Sequence, residues 1–118
     1  MKRQVLFFKT NSGNSPIEEF LDSLPAKVVQ KITWVLTIVE DLEIIPTKYF
    51  KKISNTLNIY ECRIDFGGNT YRLLGFFHSG NFIILTNGFM KKTQKTPKEE
   101  IDLCSRRMNE FLERGGSR

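Results

Sequence analysis

The 118-residue sequence has one histidine, two cysteines and four prolines, and each scarcity excludes something. Cys62 and Cys104 lie far apart with no histidine beside either, which excludes a zinc module of ordinary spacing. Two cysteines are also too few for a disulfide scaffold and fit a reducing compartment. The one apolar run at the start, Val5 to Phe8, is too short for a signal peptide. No stretch approaches the roughly 18 apolar residues of a membrane span. There is no Gly-x-Ser-x-Gly, no Walker loop, no dinucleotide fingerprint and no metal-spaced cluster. Internal repeats and low-complexity linkers are absent too. These absences lead to the expectation of one cytoplasmic domain over residues 1–114, a flexible tail at 115–118, and no metal, cofactor or membrane partner.

What is present is a globular composition, 40% apolar and 26% charged, with a net charge of +5. The charge is unevenly placed. Residues 48–98 carry nine basic and two acidic side chains, whereas the segments on either side are each slightly acidic. A locally basic surface attracts polyanions. Solvated lysines kept for solubility are the alternative, but arginines inside strands are harder to explain that way.

Residues 4–9 read as a strand, followed by a turn cluster at 10–14. Ser15-Pro16-Ile17-Glu18 is a helix start, with Ser15 as N-cap and Pro16 in the first turn. Pro25 opens a second helix whose stripe is Val28, Ile32, Val35, Leu36, Val39 and Leu42; Pro46 ends it by residue 45. The period then changes. Segments 57–66, 70–78 and 82–90 are rich in β-formers and are separated by Gly67-Gly68 and Ser79-Gly80-Asn81, which predicts an antiparallel meander. Thr96-Pro97-Lys98-Glu99 repeats the helix start, and Ile101, Cys104, Met108, Phe111 and Leu112 form the apolar face that follows. The fold class is α+β: an N-terminal strand, an αα-hairpin, a curved antiparallel sheet of about four strands and a C-terminal helix.

A two-residue turn at Gly67-Gly68 sets Arg63 directly opposite Arg72, with Glu61 and Asp65 on the same face. The other face carries Tyr60, Cys62, Ile64, Phe66, Tyr71, Leu73 and Phe77 and is the core side, where Cys62 is a small buried hydrophobe. Facing arginines repel unless an anion lies between them or Glu61 and Asp65 neutralise both, and the two alternatives stay open here. On this reading both arginines stand on an open face and neither supports the core. A short turn of either length at 79–81 brings Asn87, Phe89 and Lys91 to the Arg72 side. The strand then runs into the basic loop Lys91-Lys92-Thr93-Gln94-Lys95. Tyr49, Phe50, Tyr60 and Phe89 offer rings for unpaired bases, with core packing as the alternative. His78, at a hairpin tip, reads as incidental.

Leu57-Asn58-Ile59-Tyr60-Glu61-Cys62-Arg63, Thr70-Tyr71-Arg72-Leu73 and Asn87-Gly88-Phe89-Met90-Lys91-Lys92-Thr93-Gln94-Lys95-Thr96-Pro97, with the Ser-Pro-Ile-Glu-Glu-Phe-Leu helix start, resemble the phage-derived, HigB-like branch of the RelE/ParE toxin superfamily. The resemblance spans roughly residues 4–112. It implies the toxin of a type II toxin–antitoxin pair, with the ribosome and messenger RNA as targets. The partner would be a cognate antitoxin, a small helix-turn-helix protein encoded beside it. The implied reaction is metal-free cleavage of messenger RNA by 2′-hydroxyl attack on the adjacent phosphate. Carried over by motif, Arg63 and Arg72 hold the phosphate, Lys91 and Lys92 stabilise developing charge or assist the leaving oxygen, and Glu61 is a candidate base. Lys51, Lys52, Tyr60, Asn87 and Lys95 are the candidate RNA contacts around them. Many relatives carry leucine-histidine where this chain has Thr86-Asn87, and asparagine exchanges no proton near neutral pH. A ParE-like toxin that poisons gyrase and a non-catalytic RNA-binding domain are the competing readings.

Overall fold

The structure, a computed structural model, describes residues 2–91 and 96–116. Among these, β1 (Gln4–Phe7) leads to α1 (Pro16–Asp22) and α2 (Ala26–Asp41). Then come β2 (Phe50–Lys52), β3 (Tyr60–Phe66), β4 (Asn69–His78), β5 (Phe82–Lys91) and α3 (Lys98–Glu113). The strands form one curved, unclosed sheet in the order β1-β5-β4-β3-β2.

The α1 start follows its sequence signals. Pro16 occupies the first turn and the Ser15 hydroxyl accepts from the Glu18 amide at 3.3 Å. In α2 the stripe Val28, Ile32, Val35 and Val39 is buried against one face of the sheet, where it meets Cys62, Ile64, Leu73 and Ile83. Full burial of such a side chain contributes roughly 1.5–3 kcal/mol, so an acidic residue at Ile32 would break this seat. Leu42, expected in the stripe, is instead the exposed C-cap. The last carbonyls of α2 are taken by Arg3, whose guanidinium donates to Val39, Leu42 and Glu43 at 2.7–3.0 Å.

Two features extend the expected sheet. The strand at the N-terminus lies parallel to β5, with Val5 beside Ile83, so the sheet is mixed rather than wholly antiparallel. The three-residue β2 pairs with β3, Lys51 opposite Glu61, and makes a fifth strand. The expected strand at 57–66 begins only at Tyr60, and residues 53–59 form a loop.

The hairpin at Gly67-Gly68 has the predicted register. Both glycines have positive φ (+60° and +81°), the backbone a two-residue hairpin turn needs, and Arg63 pairs with Arg72. At 79–81 the turn has three residues, which alone would reverse the parity of β5. A bulge restores it: Gly75 pairs with Leu85, Leu74 pairs with Asn87, and Thr86 is the extra residue. Asn87, Phe89 and Lys91 therefore do reach the Arg72 side, by a route the turn alone does not provide.

The largest correction concerns that side. It is not open. α3 crosses it, burying Cys104 with Ile59 and Leu74, and Phe111 with Phe8, Phe76 and Ile84. Leu112, expected on the apolar face of α3, is half exposed, and Phe66, expected on the core side, is also exposed at the end of its strand. His78 lies edge-on to Phe111 at 5.0 Å. No helix among the described residues is long and apolar enough to cross a membrane.

Candidate functional site

β3 and β4 place Glu61 and Arg72 diagonally across the ladder, on the side of the sheet where α3 packs, and both are buried. Arg72 is 4% exposed and Glu61 3%. They form an ion pair through Arg72 Nη1 and Glu61 Oε1. The other carboxylate oxygen of Glu61 accepts from the Thr96 hydroxyl. Thr96 is therefore not the expected cap of α3: the helix starts one residue after Pro97 without a side-chain cap, and the threonine hydroxyl is drawn to the buried carboxylate instead. Arg72 Nε is buried with no hydrogen-bond partner among the described residues.

Arg63 sits opposite Arg72 but nearer the rim. Its Nε donates to both oxygens of Asp65 at 3.2 and 3.3 Å, and Thr70 Oγ1 donates to Asp65 at 2.7 Å. Burial works against the Asp65 anion, yet the hydrogen bonds from Thr70 and Arg63, with the charges of Arg63 and Arg72, hold its carboxyl below the ordinary value. Each arginine thus has its own carboxylate. The expectation that both are dispensable to the fold is corrected for Arg72, which is half of a buried pair.

The unbalanced positive charge comes from lysines around this quartet. Among the described residues, an open cleft of about 500 Å³ is lined by Lys51, Lys52, Arg63, Arg72 and Lys91, with Glu61 the one carboxylate in its wall. Lys91 Nζ is held below its usual range, first by partial burial and then by the nearby charges of Arg72, Arg63 and Lys51, against the opposing pull of Glu61. An anion in the cleft relieves that crowding. Lys52 donates its ammonium to the Thr56 carbonyl.

Six predicted residues are therefore gathered at one cleft: Lys51, Lys52, Glu61, Arg63, Arg72 and Lys91. Two are not. Tyr60 lies on the α2 side of the sheet, stacked on Phe50 at 5.2 Å and edge-on to Phe77. Asn87 is buried beneath α3, where its amide donates to the Glu100 backbone and side chain at 3.2 and 3.0 Å. Lys92 and Lys95 lie outside the described residues. The other candidate rings are occupied in packing: Tyr49 against Trp34, Phe89 in the cluster beneath α3. Thr96 and Thr70, which orient Glu61 and Asp65, were missed as site residues, since a hydroxyl before a proline reads as a cap and one in a strand as a β-former. Cys62 is fully buried, its thiol pushed up to about 12 by burial and then by the Glu61 charge, so it is no nucleophile.

Among known families, the one described as phage derived protein Gp49-like (DUF891) matches residues 19–109, a span that holds both arginines, Glu61, Lys91 and most of α3. No curated protein matches the chain.

Proposed function

The chain belongs to the phage-derived Gp49-like family, a RelE-like, toxin-like family, and on that premise we propose that it is the toxin of a type II toxin–antitoxin pair that cleaves messenger RNA on the ribosome. The observation that carries this reading is the basic cleft, five cationic side chains around one carboxylate, in a fold of the RelE kind.

In this mechanism a phosphate of the message lies at the mouth of the cleft against Arg63, Lys51 and Lys91. The 2′-hydroxyl of the preceding nucleotide attacks phosphorus and the bond to the 5′-oxygen breaks. The products are a 2′,3′-cyclic phosphate and a 5′-hydroxyl. Charge builds on the phosphoryl oxygens, where Arg63 donates in a directed fork. Lys91, which lines the cleft, gives a proton to the leaving 5′-oxygen. Glu61 is held by Arg72 and Thr96 on both oxygens, so it serves as base only when one of them yields. Arg72 is a positioning residue while that pair is closed. The partner that restrains this activity is an antitoxin encoded next to it, a small helix-turn-helix protein.

Primer extension on messages after brief induction tests the proposal. Cleavage within translated messages, lost in Arg63→Ala at equal expression, is the expected result. Growth arrest with intact messages would overturn it. A second reading, a toxin that acts by binding, as a gyrase poison does, is favoured by two observations: both arginines are already paired with carboxylates, and Thr86-Asn87 leaves no histidine in the cleft. Double-strand breaks in DNA with intact messages would select it.

A further inference from the structure

Beside the basic cleft lies a second recess, of about 710 Å³, with different chemistry. One wall is the loop after β2, with Ser54, Asn55 and Thr56; the other is the approach to α3, with Thr96, Pro97 and Ile101. The Lys98–Asp102 ion pair, 2.9 Å, borders it. Ser54, Asn55, Thr96 and Ile101 line both recesses, so the two are continuous. The first presents positive charge. The second presents uncharged donors and acceptors beside apolar surface, with Lys98 and Asp102 paired to each other in its lining. Single-stranded RNA is read by that division of labour: cations hold the phosphate, while a base lies against apolar surface and its edge is hydrogen-bonded.

The loop is fastened from within. The Ile53 amide donates to the Ile59 carbonyl at 2.8 Å. The Thr56 hydroxyl donates to Ile53 O at 2.7 Å and accepts from the Ile59 amide at 3.4 Å. Lys52 holds the Thr56 carbonyl from outside. So fastened, the loop carries Asn55 at φ +64°, the left-handed region that asparagine tolerates better than most residues. The Asn55 side chain is exposed, and among the described residues none hydrogen-bonds to its amide. A rigid loop that presents an unengaged amide beside an anion cleft has the form of a reading head, because an amide offers a donor and an acceptor side by side.

We propose that this recess holds the nucleobase adjoining the phosphate bound in the basic cleft, with Asn55 reading the hydrogen-bonding edge of the base and Pro97 and Ile101 lying against its face. The inference rests on the reading of the cleft as an RNA site, and it adds base selectivity to that site.

The test is binding rather than cleavage. The purified chain is titrated with four RNA tetranucleotides, each of one base, and followed by amide NMR. The wild type separates its best and worst base by roughly 5- to 20-fold, the lower part of the range for one well-made amide–base pair. Residues 54–56 and Ile101 shift on binding. Asn55→Gly keeps the left-handed backbone but loses the amide, and compresses the separation to about twofold. Asn55→Asp offers acceptors only and re-ranks the bases. Arg63→Ala weakens all four about equally and leaves the ranking alone. Equal binding of all four bases by the wild type, or the wild-type ranking kept in Asn55→Gly, overturns the inference. Base-ranked binding through Asn55 by a chain that leaves messages intact supports it and sinks only the enzymatic reading.

Discussion

Removing the guanidinium of Arg72 should do something that removing that of Arg63 does not. The Arg72–Glu61 pair is almost wholly buried, with side chains 5% and 4% exposed, whereas Arg63 and Asp65 are 42% and 58% exposed. In Arg72→Ala the Glu61 carboxylate keeps, among the described residues, the Thr96 hydroxyl as its one hydrogen-bond partner. Breaking a buried pair from one side costs about 3–5 kcal/mol, since the remaining charge is neither solvated nor neutralised. The exposed Arg63–Asp65 pair lies in the class worth about 0–1 kcal/mol. For a chain of this length those values correspond to a Tm fall of roughly 10–20 °C for Arg72→Ala and of a few degrees at most for Arg63→Ala. Urea unfolding followed by circular dichroism measures both, with the slope unchanged if the native and denatured states keep their compactness. The double variant Arg72→Met with Glu61→Leu should recover most of the loss, giving a coupling of roughly 2–3 kcal/mol. If Arg72→Ala is no more destabilising than Arg63→Ala, the pair does not behave as a buried one and the reasoning fails. The same difference decides how toxicity is read: loss of activity in Arg63→Ala reports on the cleft, while loss in Arg72→Ala reports on folding as well.

Thr96→Val removes the hydroxyl that holds Glu61 and should cost about 1–2 kcal/mol, while Thr96→Ser keeps it; thermal unfolding of the two separates the hydrogen bond from the packing. Lys91 should titrate below 10.5 in the free protein, and adding inorganic phosphate should raise it, as followed by NMR of its ε-methylene group. A folded-state pKa below the unfolded one means that this group adds stability as pH rises through the interval between them, so Lys91→Gln should flatten that alkaline rise. Gly75→Ala places a methyl group on the Ile84 carbonyl oxygen, a backbone atom that cannot swing aside, and should cost about 3 kcal/mol or more in denaturant titration. In RNA binding, Arg63→Ala and Lys51→Ala should each lower the salt slope by about 0.7; an unchanged slope would mean that neither touches phosphate.

The parts of this fold legible in the sequence are those fixed by short-range chemistry. Ser15 before Pro16 specifies a helix start. Gly67-Gly68 specifies a two-residue turn, and with it the facing of Arg63 and Arg72, because the length of a loop dictates the pairing of its strands. What was not legible depends on distant partners. An apolar stripe on α3 shows that it packs, but not onto which face of the sheet, and that choice set the helix on the arginine side, over Ile59 and Leu74. Strand β2 has three residues and no periodicity to show. The parallel pairing of β1 is a contact across most of the chain. Within the site, Glu61, Arg63, Arg72 and Lys91 could be gathered from pattern, and the same alternation put Tyr60 on the core side, whereas the place of Asn87 beneath the helix had no local sign. The polar Thr86 within an apolar strand was the one local sign of the bulge.

The extra residue at Thr86 also bears on the order in which the chain assembles. Its carbonyl receives Arg107 Nη1 at 2.8 Å, and its neighbour Asn87 holds Glu100. Both clips exist only once β4 and β5 have paired with the bulge in place. The β4–β5 hairpin is local and its closure entropy small, so it belongs early in folding, while α3 can be seated only afterwards. Arg107→Ala and Asn87→Ala should therefore leave the folding rate nearly unchanged and accelerate unfolding, whereas Gly75→Ala, which disturbs the hairpin itself, should slow folding. On this order α3, which packs over Leu74 and Ile59, should be the last element to arrive and the first to leave.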